Sequence, residues 1–479
     1  MEQATPLLNT PSDFNHQANG LEFSWRSESR WRSLTQRLLN LTWLYHILPR
    51  YIQPGGRAEY RKDKPHPTAY LDAVRGYAAV IVFYYHGWGS TTLWFLKLPL
   101  IRTFVSGGPG MVAIFFIISG YVLSYRVLKL IRNKESALLL DALSSSVFRR
   151  WLRLYGSTAI ATFVAALLVS PGWRVPLPEL VQPTFLGQMW NWFLSTIIFS
   201  NPFANVEGWI HEGVLYTPYL GQMWTIPVEF RGSIVLFCFC ISAAKLSLRA
   251  RMIYLWLVVA LSYYWRSVYV AEFLYGMFIA ELSFSRHPER LGRPVLPTGE
   301  NEKPLSRQLK LWRLSRTIAS PIGSSVALVI GLLLLGQPDP PDLGMNGPFP
   351  FPYLVHFIPP WYGDAAYTFW LSIGAFLVVI ALDSSPTLQK PFTWSFSQYI
   401  GDLSFGIYAM HTIWIDALYK KHLLYWQALY LGDSYPAFIP GILIVTICIL
   451  WSADYFRRAD RMVVNAGRWL QTKTFRKWQ

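Results

Sequence analysis

Cysteine and charge are both scarce in this sequence. The chain has 479 residues but only 3 cysteines, and Cys238, Cys240 and Cys448 all stand inside apolar runs. Cysteines in such settings indicate neither a disulfide framework nor a zinc site, so we expect no metal. Only 15% of the residues are charged, whereas soluble domains carry about a quarter. The composition therefore argues against an ordinary soluble protein.

Acidic residues are especially few, because 27 Asp and Glu stand against 43 Lys and Arg, which gives a net charge of +16. A nucleic-acid binder would present such charge as a basic face on a folded module. Here the basic residues fall between apolar runs, so we expect no nucleic-acid partner. What the chain does have is 52% hydrophobic and 16% aromatic residues, which is typical of a protein in a lipid bilayer.

Ten apolar segments predict an all-α, polytopic membrane protein with about ten transmembrane helices around a central cavity. The segments lie at residues 69–88, 109–127, 154–170, 224–244, 252–265, 268–283, 318–336, 367–382, 400–418 and 436–456. Several are shorter than the roughly 20 residues that a spanning helix needs. We interpret a further apolar piece, 190–199, as interfacial or re-entrant, because an eleventh crossing would reverse every later loop.

The loop charges predict an orientation. With a cytosolic N-terminus, thirty-five Lys and Arg residues fall on the cytosolic side and six on the other, a strong positive-inside pattern. We expect both termini in the cytosol, stretches 172–221 and 337–364 on the other side, and insertion in an endomembrane such as the endoplasmic reticulum or in the plasma membrane. The predicted parts are a partly disordered tail with an interfacial helix (1–65), a transmembrane domain (66–460) and a basic tail (461–479).

Arg75 and His86 both lie in the first apolar segment. The eleven residue steps between them make about three helical turns plus 20°, so both side chains leave the same face, roughly 16 Å apart in depth. Ionisable groups in a bilayer are costly unless they face a partner or a wet cavity, which makes this face a candidate functional site. The alternative is that Arg75 snorkels to the cytosolic surface while His86 caps the opposite one.

Depth along the predicted spans brings further polar residues towards His86. These residues are Glu229 at a similar depth, Arg231 slightly deeper, and Ser119 and His411 near mid-membrane. A histidine beside a carboxylate is suited to take a proton from a hydroxyl, because the carboxylate fixes the tautomer and stabilises the imidazolium. The alternative is a structural ion pair of Glu229 with Arg231 or Arg75.

A basic cluster, Arg149, Arg150 and Arg153, opens the third segment. At spacings of four and three, Arg149 or Arg150 shares a helix face with Arg153, and such a pair is suited to clamp phosphates. The alternative is an ordinary positive-inside anchor. The second segment begins with Gly107 and Gly108, and small residues there permit close packing or close approach to a ligand.

In order along the chain, these segments resemble the acyltransferase 3 family of integral-membrane O-acyltransferases. The motifs that carry the resemblance are LDAVRGYAAVIVFYYH, GGPGMVAIFFIISGYVLS, RRWLR, MWTIPVEF and SFGIYAMH, all within residues 69–411. The form GQMWTIPVEFRGS is similar to that of members from filamentous fungi. Five motifs in the family's order are far more specific than any one of them.

The resemblance implies transfer of an acyl group, typically acetyl from acetyl-CoA, to a hydroxyl of a carbohydrate or small molecule. It points to His86, Glu229 and Arg75 as catalytic positions and to the cluster of Arg149, Arg150 and Arg153 as the acyl-CoA site. The expected cavity and substrate positions are Gly107, Gly108, Phe116, Ser119, Gly120, Tyr121, Trp224, Arg231, Tyr408 and His411. Acyl-CoA is then a co-substrate, and we expect no bound cofactor.

The sequence leaves alternatives for the acceptor molecule and for the class of protein. The acceptor is expected to be a secondary metabolite such as a terpenoid or polyketide, with a sterol-like lipid or a cell-wall sugar as alternatives. A proton-coupled transporter would use the same intramembrane His, Glu and Arg as a relay. Such a transporter should show paired discontinuous spans and would not need CoA.

Overall fold

The computed structural model describes residues 47–60, 66–89, 98–174, 177–202, 217–291, 320–338, 347–432 and 434–475. The chain divides into the units Met1–Leu48 and Pro49–Gln479. The expected N-terminal tail falls mostly in residues 1–46, outside the described part, as does most of its interfacial helix. All helices of the candidate site belong to the second unit.

The second unit is nearly all helical. Its longer helices are α1 (Ala69–Trp88), α2 (Gly108–Asn133), α3 (Ser136–Trp151), α4 (Ser157–Val169), α5 (Phe185–Phe199), α6 (Thr225–Ala243), α7 (Leu248–Tyr264), α8 (Val268–Arg286), α9 (Pro321–Leu335), α10 (Ala366–Ser384), α11 (Ser395–Asp402), α12 (Ser404–Trp414), α13 (Leu424–Tyr430) and α14 (Phe438–Thr474). Two π-helical segments, Leu152–Gly156 and Ile415–Leu423, join α3 to α4 and α12 to α13. Shorter helical turns are Gly56–Glu59, Ile101–Ser106, Pro178–Leu180, Gly221–Trp224, Pro288–Leu291, Phe351–Leu354, Val355–Phe357, Pro360–Ala365, Pro386–Gln389, Lys390–Thr393 and Tyr435–Ala437.

The all-α class is confirmed, since the described ranges contain helices and no named strand. Six helical stretches are long and apolar enough to cross a membrane, namely Gly108–Asn133, Ser136–Val169, Gly221–Ala243, Val268–Arg286, Ala366–Ser384 and Phe438–Thr474. Helices α1, α7, α9 and α12 occupy the other four predicted segments but fall outside this set. Helix α7 has 17 residues and α9 has 15, fewer than the roughly 20 of a spanning helix. The count of ten crossings stays a prediction.

Polar side chains mark where several helices begin. The hydroxyls of Thr184, Ser247 and Ser320 accept hydrogen bonds from backbone N–H groups three residues on, at 3.0, 3.3 and 3.0 Å. Each satisfies a donor that the first turn of a helix leaves unpaired. Pro321 follows Ser320 directly, where its missing N–H costs nothing. These caps therefore set the starts of α5, α7 and α9.

Helix α5, which covers the piece interpreted as interfacial or re-entrant, lies antiparallel to α4. Trp192 donates to Thr162 at 3.1 Å, and Trp151, just before the first π segment, donates to the Ser200 carbonyl at 3.0 Å. Phe185, Leu186 and other large apolar side chains of α5 are exposed, as expected of a helix that contacts lipid. The chain after this helix, residues 203–216, lies outside the described part.

The closest helix contact is between α2 and α8. A Cβ added to Gly120 would lie 2.1 Å from the Phe273 carbonyl oxygen, and one added to Gly276 would lie 2.0 Å from that of Ile117. Only glycine permits such an approach of two backbones. Phe116, one turn from Gly120, stacks on Phe273 with ring centroids 5.8 Å apart. This contact fixes the helix that carries Phe115, Phe116 and Ser119.

Candidate active site

A cavity of about 150 Å³ lies where α1, α2, α3, α6, α12 and α14 converge. We call it the arginine cavity, and its charged lining residues are Arg75, Arg150, Arg153, Glu229 and Asp460. Its other lining residues include Phe115, Phe116, Ser119, Thr225, Phe405 and Tyr408. Three guanidinium groups against two carboxylates give it a net positive charge, so it is suited to an anionic substrate.

Glu229 forms a buried ion pair with Arg150. The Arg150 side chain donates from Nη2 to Glu229 Oε1 and from Nε to Ser233 Oγ, the latter at 3.1 Å. The side chains are 8% and 13% exposed. A carboxylate in such surroundings is stable as an anion only beside a cation or several donors. Glu229 therefore neutralises one of the three arginines.

The expected pairing of His86 with Glu229 is not what the structure has. Glu229 bonds to Arg150, and no hydrogen bond joins it to His86 within the described residues. The alternative partners, Arg231 and Arg75, are not bonded to it either. Depth along a helix axis does not give the direction in which each side chain leaves its helix, and here Glu229 points towards Arg150.

Arg75 and Arg153 line the cavity without a close ion pair to any described carboxylate, so their positive charges face the cavity. The nearest carboxylate to Arg75 is that of Asp72, 4.0 Å away and largely exposed, and the Arg75 guanidinium lies 6.0 Å from the Phe115 ring centroid. Arg153 has no hydrogen bond or ion pair to any residue in the described ranges. The π-helical segment begins at Leu152, directly before Arg153, and such segments are frequent at functional sites.

A second cavity, of about 520 Å³, shares Arg75, Arg153, Phe405 and Asp460 with the first. It extends to Tyr60, to Asp402 at the end of α11 and to Arg461 within α14. Burial, and next the negative charge of Asp402, raises the pKa of the Tyr60 hydroxyl above its usual range. That hydroxyl therefore stays protonated and donates to Asp402 at 3.0 Å. The two cavities together form a route from this end of the bundle to the arginines.

His86 and His411 stack on one another, with ring centroids 5.1 Å apart and an interplanar angle of 29°. His86 is exposed, whereas His411 is fully buried. His411 Nδ1 lies 3.2 Å from the Ile407 carbonyl oxygen, so the tautomer protonated at Nδ1 donates to it. His411 Nε2 is buried without a hydrogen-bond partner in the described structure. Neither histidine lines the arginine cavity.

Tyr408 separates the histidines from the cavity. Its ring lies 6.1 Å from Phe115 on the cavity side and 5.9 Å from His411 on the other. Its hydroxyl donates to the Gln222 carbonyl and bonds to Thr225 Oγ1 at 2.8 Å. Tyr408 was expected as a cavity residue, and the structure places it there. The rings of Phe115 and Tyr408 thus lie between the arginines of the cavity and the two histidines.

Arg149 does not join Arg150 and Arg153 in lining the cavity. Its Nε and Nη2 donate to the Ser145 carbonyl and hydroxyl oxygens at 3.1 and 2.9 Å. The three arginines were expected to act as one cluster. Neighbouring residues on a helix point about 100° apart, so Arg149 and Arg150 face different surroundings.

Several other predicted cavity residues pack helices instead. A Cβ on Gly107 would lie 2.3 Å from the Thr103 carbonyl oxygen, and one on Gly108 would lie 2.5 Å from Tyr85. Gly120 approaches α8, and Tyr121 is buried where it donates to Asp383 at 3.1 Å. Trp224 and Arg231 are half-buried and do not line the cavity, whereas Phe116 and Ser119 do.

Asp460 and Phe405 line both cavities but were missed in the sequence. Asp460 accepts from Ser157 at 2.6 Å, which ties α14 to the start of α4. Its signal was an acidic residue inside the basic run RRADR at the end of the last apolar segment. Among the described residues, no three His, Cys, Asp or Glu side chains cluster as a metal site would require.

These features define a helical membrane protein with an arginine-lined interior site. The acyltransferase domain of the acyltransferase 3 family matches residues 68–455, and the chain belongs to this family. It is 32% identical to the O-acetyltransferase PaAT-1 of Phomopsis amygdali over 463 residues, 89% of each chain. It is 25% identical to acyltransferase R4 of Phoma sp. over 402 residues, 72% of this chain and 82% of that one.

A third relative is acyltransferase clz18 of Cochliobolus lunatus, 22% identical over 401 residues, 72% of this chain and 82% of that one. No solved structure matches the chain. The predicted family is therefore confirmed, and the chain is an acyltransferase that transfers groups other than aminoacyl groups. The transporter alternative is dropped on these grounds.

Proposed function

We propose that the protein is an integral-membrane O-acetyltransferase that moves an acetyl group from acetyl-CoA to a hydroxyl of a small molecule. The observation that carries the proposal is the pair of arginines, Arg75 and Arg153, that faces one cavity without a close buried carboxylate partner among the described residues. The similarity to PaAT-1, an O-acetyltransferase, supports acetyl as the group transferred. A secondary metabolite is the proposed acceptor, with a cell-wall or glycan sugar as the alternative.

The donor is proposed to enter through the second cavity. Guanidinium groups bind phosphate oxygens through charge-assisted hydrogen bonds, and Arg75 and Arg153 lie where the two cavities meet. Beyond them the lining turns aromatic, with Phe115 and Tyr408. This sequence of charged and then apolar surroundings fits a molecule with an anionic nucleotide part and an uncharged thioester arm.

His86 is the proposed general base. It takes the proton of the acceptor hydroxyl as that oxygen attacks the thioester carbonyl, and the CoA thiolate leaves and is protonated by the imidazolium. His411 holds the His86 ring by stacking and is a positioning residue. His86 is exposed and lies beyond Tyr408 as seen from the arginine cavity. The donor and the acceptor would therefore approach from opposite sides of the Tyr408 ring, and this ring would have to shift before the acetyl group could be transferred.

In the bilayer, we propose ten crossings around the two cavities, with both termini in the cytosol. The arginine excess at one end supports this orientation, and it places the mouth of the second cavity on the side where acyl-CoA is made available. Insertion in the endoplasmic reticulum or the plasma membrane suits either acceptor class.

His86→Ala tests the chemistry. With purified protein in nanodiscs and radiolabelled acetyl-CoA, the release of CoA and the acetylation of the acceptor are measured in single turnover. We expect a loss of roughly 10²- to 10⁴-fold in rate, the contribution of general-base catalysis. CoA affinity should be unchanged, because proton transfer enters the transition state and not donor binding.

His422→Ala is the matched control, since His422 is exposed on the second π segment and has no hydrogen bond within the described residues. It should retain wild-type rates. Near-normal activity of His86→Ala would reject His86 as the general base, and His411 would become the next candidate for that role. Absence of CoA release from acetyl-CoA by the wild type, with hydrolysis included, would reject the acetyltransferase itself.

A further inference from the structure

Three helices that line the arginine cavity each carry another arginine further towards the same end of the bundle. Arg126 follows Ser119 on α2 by seven residues, roughly 10 Å along the axis. Arg149 precedes Arg153 by about one turn at the end of α3, and Arg468 follows Asp460 on α14 by roughly 12 Å. The same three helices therefore carry a second group of cations, which we call the distal arginines.

The distal arginines lie close to one another. Arg468 and Arg126 lie near enough to Arg149 for their positive charges to act on its guanidinium group. Helices α3 and α14 meet here, because a Cβ on Gly467 would lie 3.9 Å from Arg149 Cγ. The Ser145 hydroxyl accepts from Arg149 at 2.9 Å and donates to Gln471 at 3.1 Å. These contacts fix Arg149 next to the turn that carries Arg468.

Within the described ranges, no carboxylate forms an ion pair with this group. Arg126 and Arg468 are exposed and form no hydrogen bond or ion pair with any described residue, and Arg149 bonds only to Ser145. Other arginines of α14 are paired, since Arg457 and Arg461 contact Asp402. Three adjacent cations repel one another, and a multivalent anion would relieve that repulsion. The arrangement is therefore suited to a phosphate.

We propose that Arg126, Arg149 and Arg468 bind the ribose 3′-phosphate of the acyl-CoA donor, while Arg75 and Arg153 bind its diphosphate. The proposal rests on the acetyltransferase function proposed above. CoA carries two separate anionic groups on one extended molecule, and the structure has two separate arginine groups, one lining the arginine cavity and one on three of the helices that line it. A phosphate monoester carries about −1.5 to −2 charges at neutral pH, which matches a group of several cations.

Anionic lipid headgroups present the same chemistry, so the experiment must separate the two sources. Nanodiscs of neutral phosphatidylcholine alone remove the lipid source. In these nanodiscs, kcat and KM are measured with acetyl-CoA and with 3′-dephospho-acetyl-CoA, for the wild type, Arg126→Gln and Arg468→Gln. Arg249→Gln is the matched control, because Arg249 is an exposed arginine near the start of α7, a helix that does not line the cavity.

We expect the wild type to have a KM roughly ten- to hundredfold higher for 3′-dephospho-acetyl-CoA, the scale of lost charge-assisted contacts. Arg126→Gln and Arg468→Gln should raise the KM for acetyl-CoA about tenfold, leave kcat unchanged and leave the KM for the dephospho donor unchanged. Arg249→Gln should alter neither. The variants would then discriminate less between the two donors than the wild type does.

Equal KM values of the wild type for the two donors would overturn the proposal while acetyl transfer itself remained. So would an equal rise for both donors in the variants, which indicates a general effect of charge. Normal donor KM together with weakened binding to phosphatidylserine vesicles would assign the distal arginines to lipid instead. Transfer from neither donor would reject the underlying acetyltransferase function, a result distinct from all of these.

Discussion

At the scale of single residues, the charges of the arginine cavity divide into two kinds. Arg150 is paired with Glu229, and because Arg150 is buried and Glu229 is largely shielded from solvent, their charges cancel inside the protein. Arg75 and Arg153 face open space and remain cationic towards whatever enters. This division follows from the positions of the carboxylates, because Glu229 stands beside only one of the three arginines. Glu229 is thus better explained as the partner of Arg150 than as the partner of a catalytic histidine.

The stability of variants tests this pairing. Glu229→Ala leaves the Arg150 guanidinium buried and unpaired, which costs about 3–5 kcal/mol, so the midpoint of thermal unfolding in detergent should fall sharply. Replacing both residues by Met removes both charges and should restore much of that loss. Lys420→Ala is the control, because it breaks an exposed ion pair with Asp416 (3.0 Å) that contributes only about 0–1 kcal/mol.

If Glu229→Ala were no more harmful than Lys420→Ala, the buried pair would not exist as described. If the double replacement were as unstable as the single one, the unpaired charge would not be the cause. Either result can be read from the same thermal scans.

At the scale of helices, the sequence predicts where along the chain many of the helices lie, but it does not predict the direction in which a given side chain points around its helix axis. Apolar runs located α2, α6, α8, α10 and α14 because spanning helices must satisfy their backbone groups internally. The side to which Glu229 or Arg149 points depends on which neighbour each helix packs against, and a single sequence does not encode this in its hydropathy. Gly120 illustrates the point, since its partner Gly276 is more than 150 residues away.

The close contact of α2 with α8 gives a prediction at this scale. Gly120→Ala places a methyl group 2.1 Å from a backbone oxygen of Phe273, which cannot move without shifting α8. Overpacking of this kind costs about 1–3 kcal/mol, and the displaced α2 should also lower activity through Phe116 and Ser119. Thermal unfolding and acetyl-transfer rates measure the two effects.

Gly221→Ala is the control for this change. A Cβ on Gly221 has nothing within 4 Å, and its φ is not in the left-handed region. We expect its stability to stay within about 0.5 kcal/mol of the wild type, as for most surface substitutions. Equal effects at Gly120 and Gly221 would show that the helices do not approach as closely as described.

At the scale of the whole molecule, the distribution of arginines connects the proposed topology with the proposed donor site. The end of the bundle with Arg461, Arg468 and the mouth of the second cavity is also the end that the loop charges assign to the cytosol. In the proposed orientation, a cytosolic donor would meet the distal arginines first and Arg75 and Arg153 afterwards. The exposed His86 lies towards the other end of α1, roughly 16 Å further in depth.

Cysteine labelling tests this orientation in a variant whose Cys238, Cys240 and Cys448 are replaced. Lys134→Cys and Trp173→Cys report on opposite ends of the Ser136–Val169 stretch, and Trp173 is 62% exposed. Tyr353, 67% exposed, reports on the stretch 337–364, which has no Lys or Arg. Because positively charged loops are retained in the cytosol, a membrane-impermeant maleimide should reach Lys134→Cys only from the cytosolic side. It should reach Trp173→Cys and Tyr353→Cys only from the other side.

Labelling of Tyr353→Cys from the cytosol would mean that an odd number of crossings separates the loop of Trp173 from the loop of Tyr353. The donor route would then lie on the wrong side of the membrane. In that event the acetyl donor would need another entry, even if the arginine cavity itself were correct.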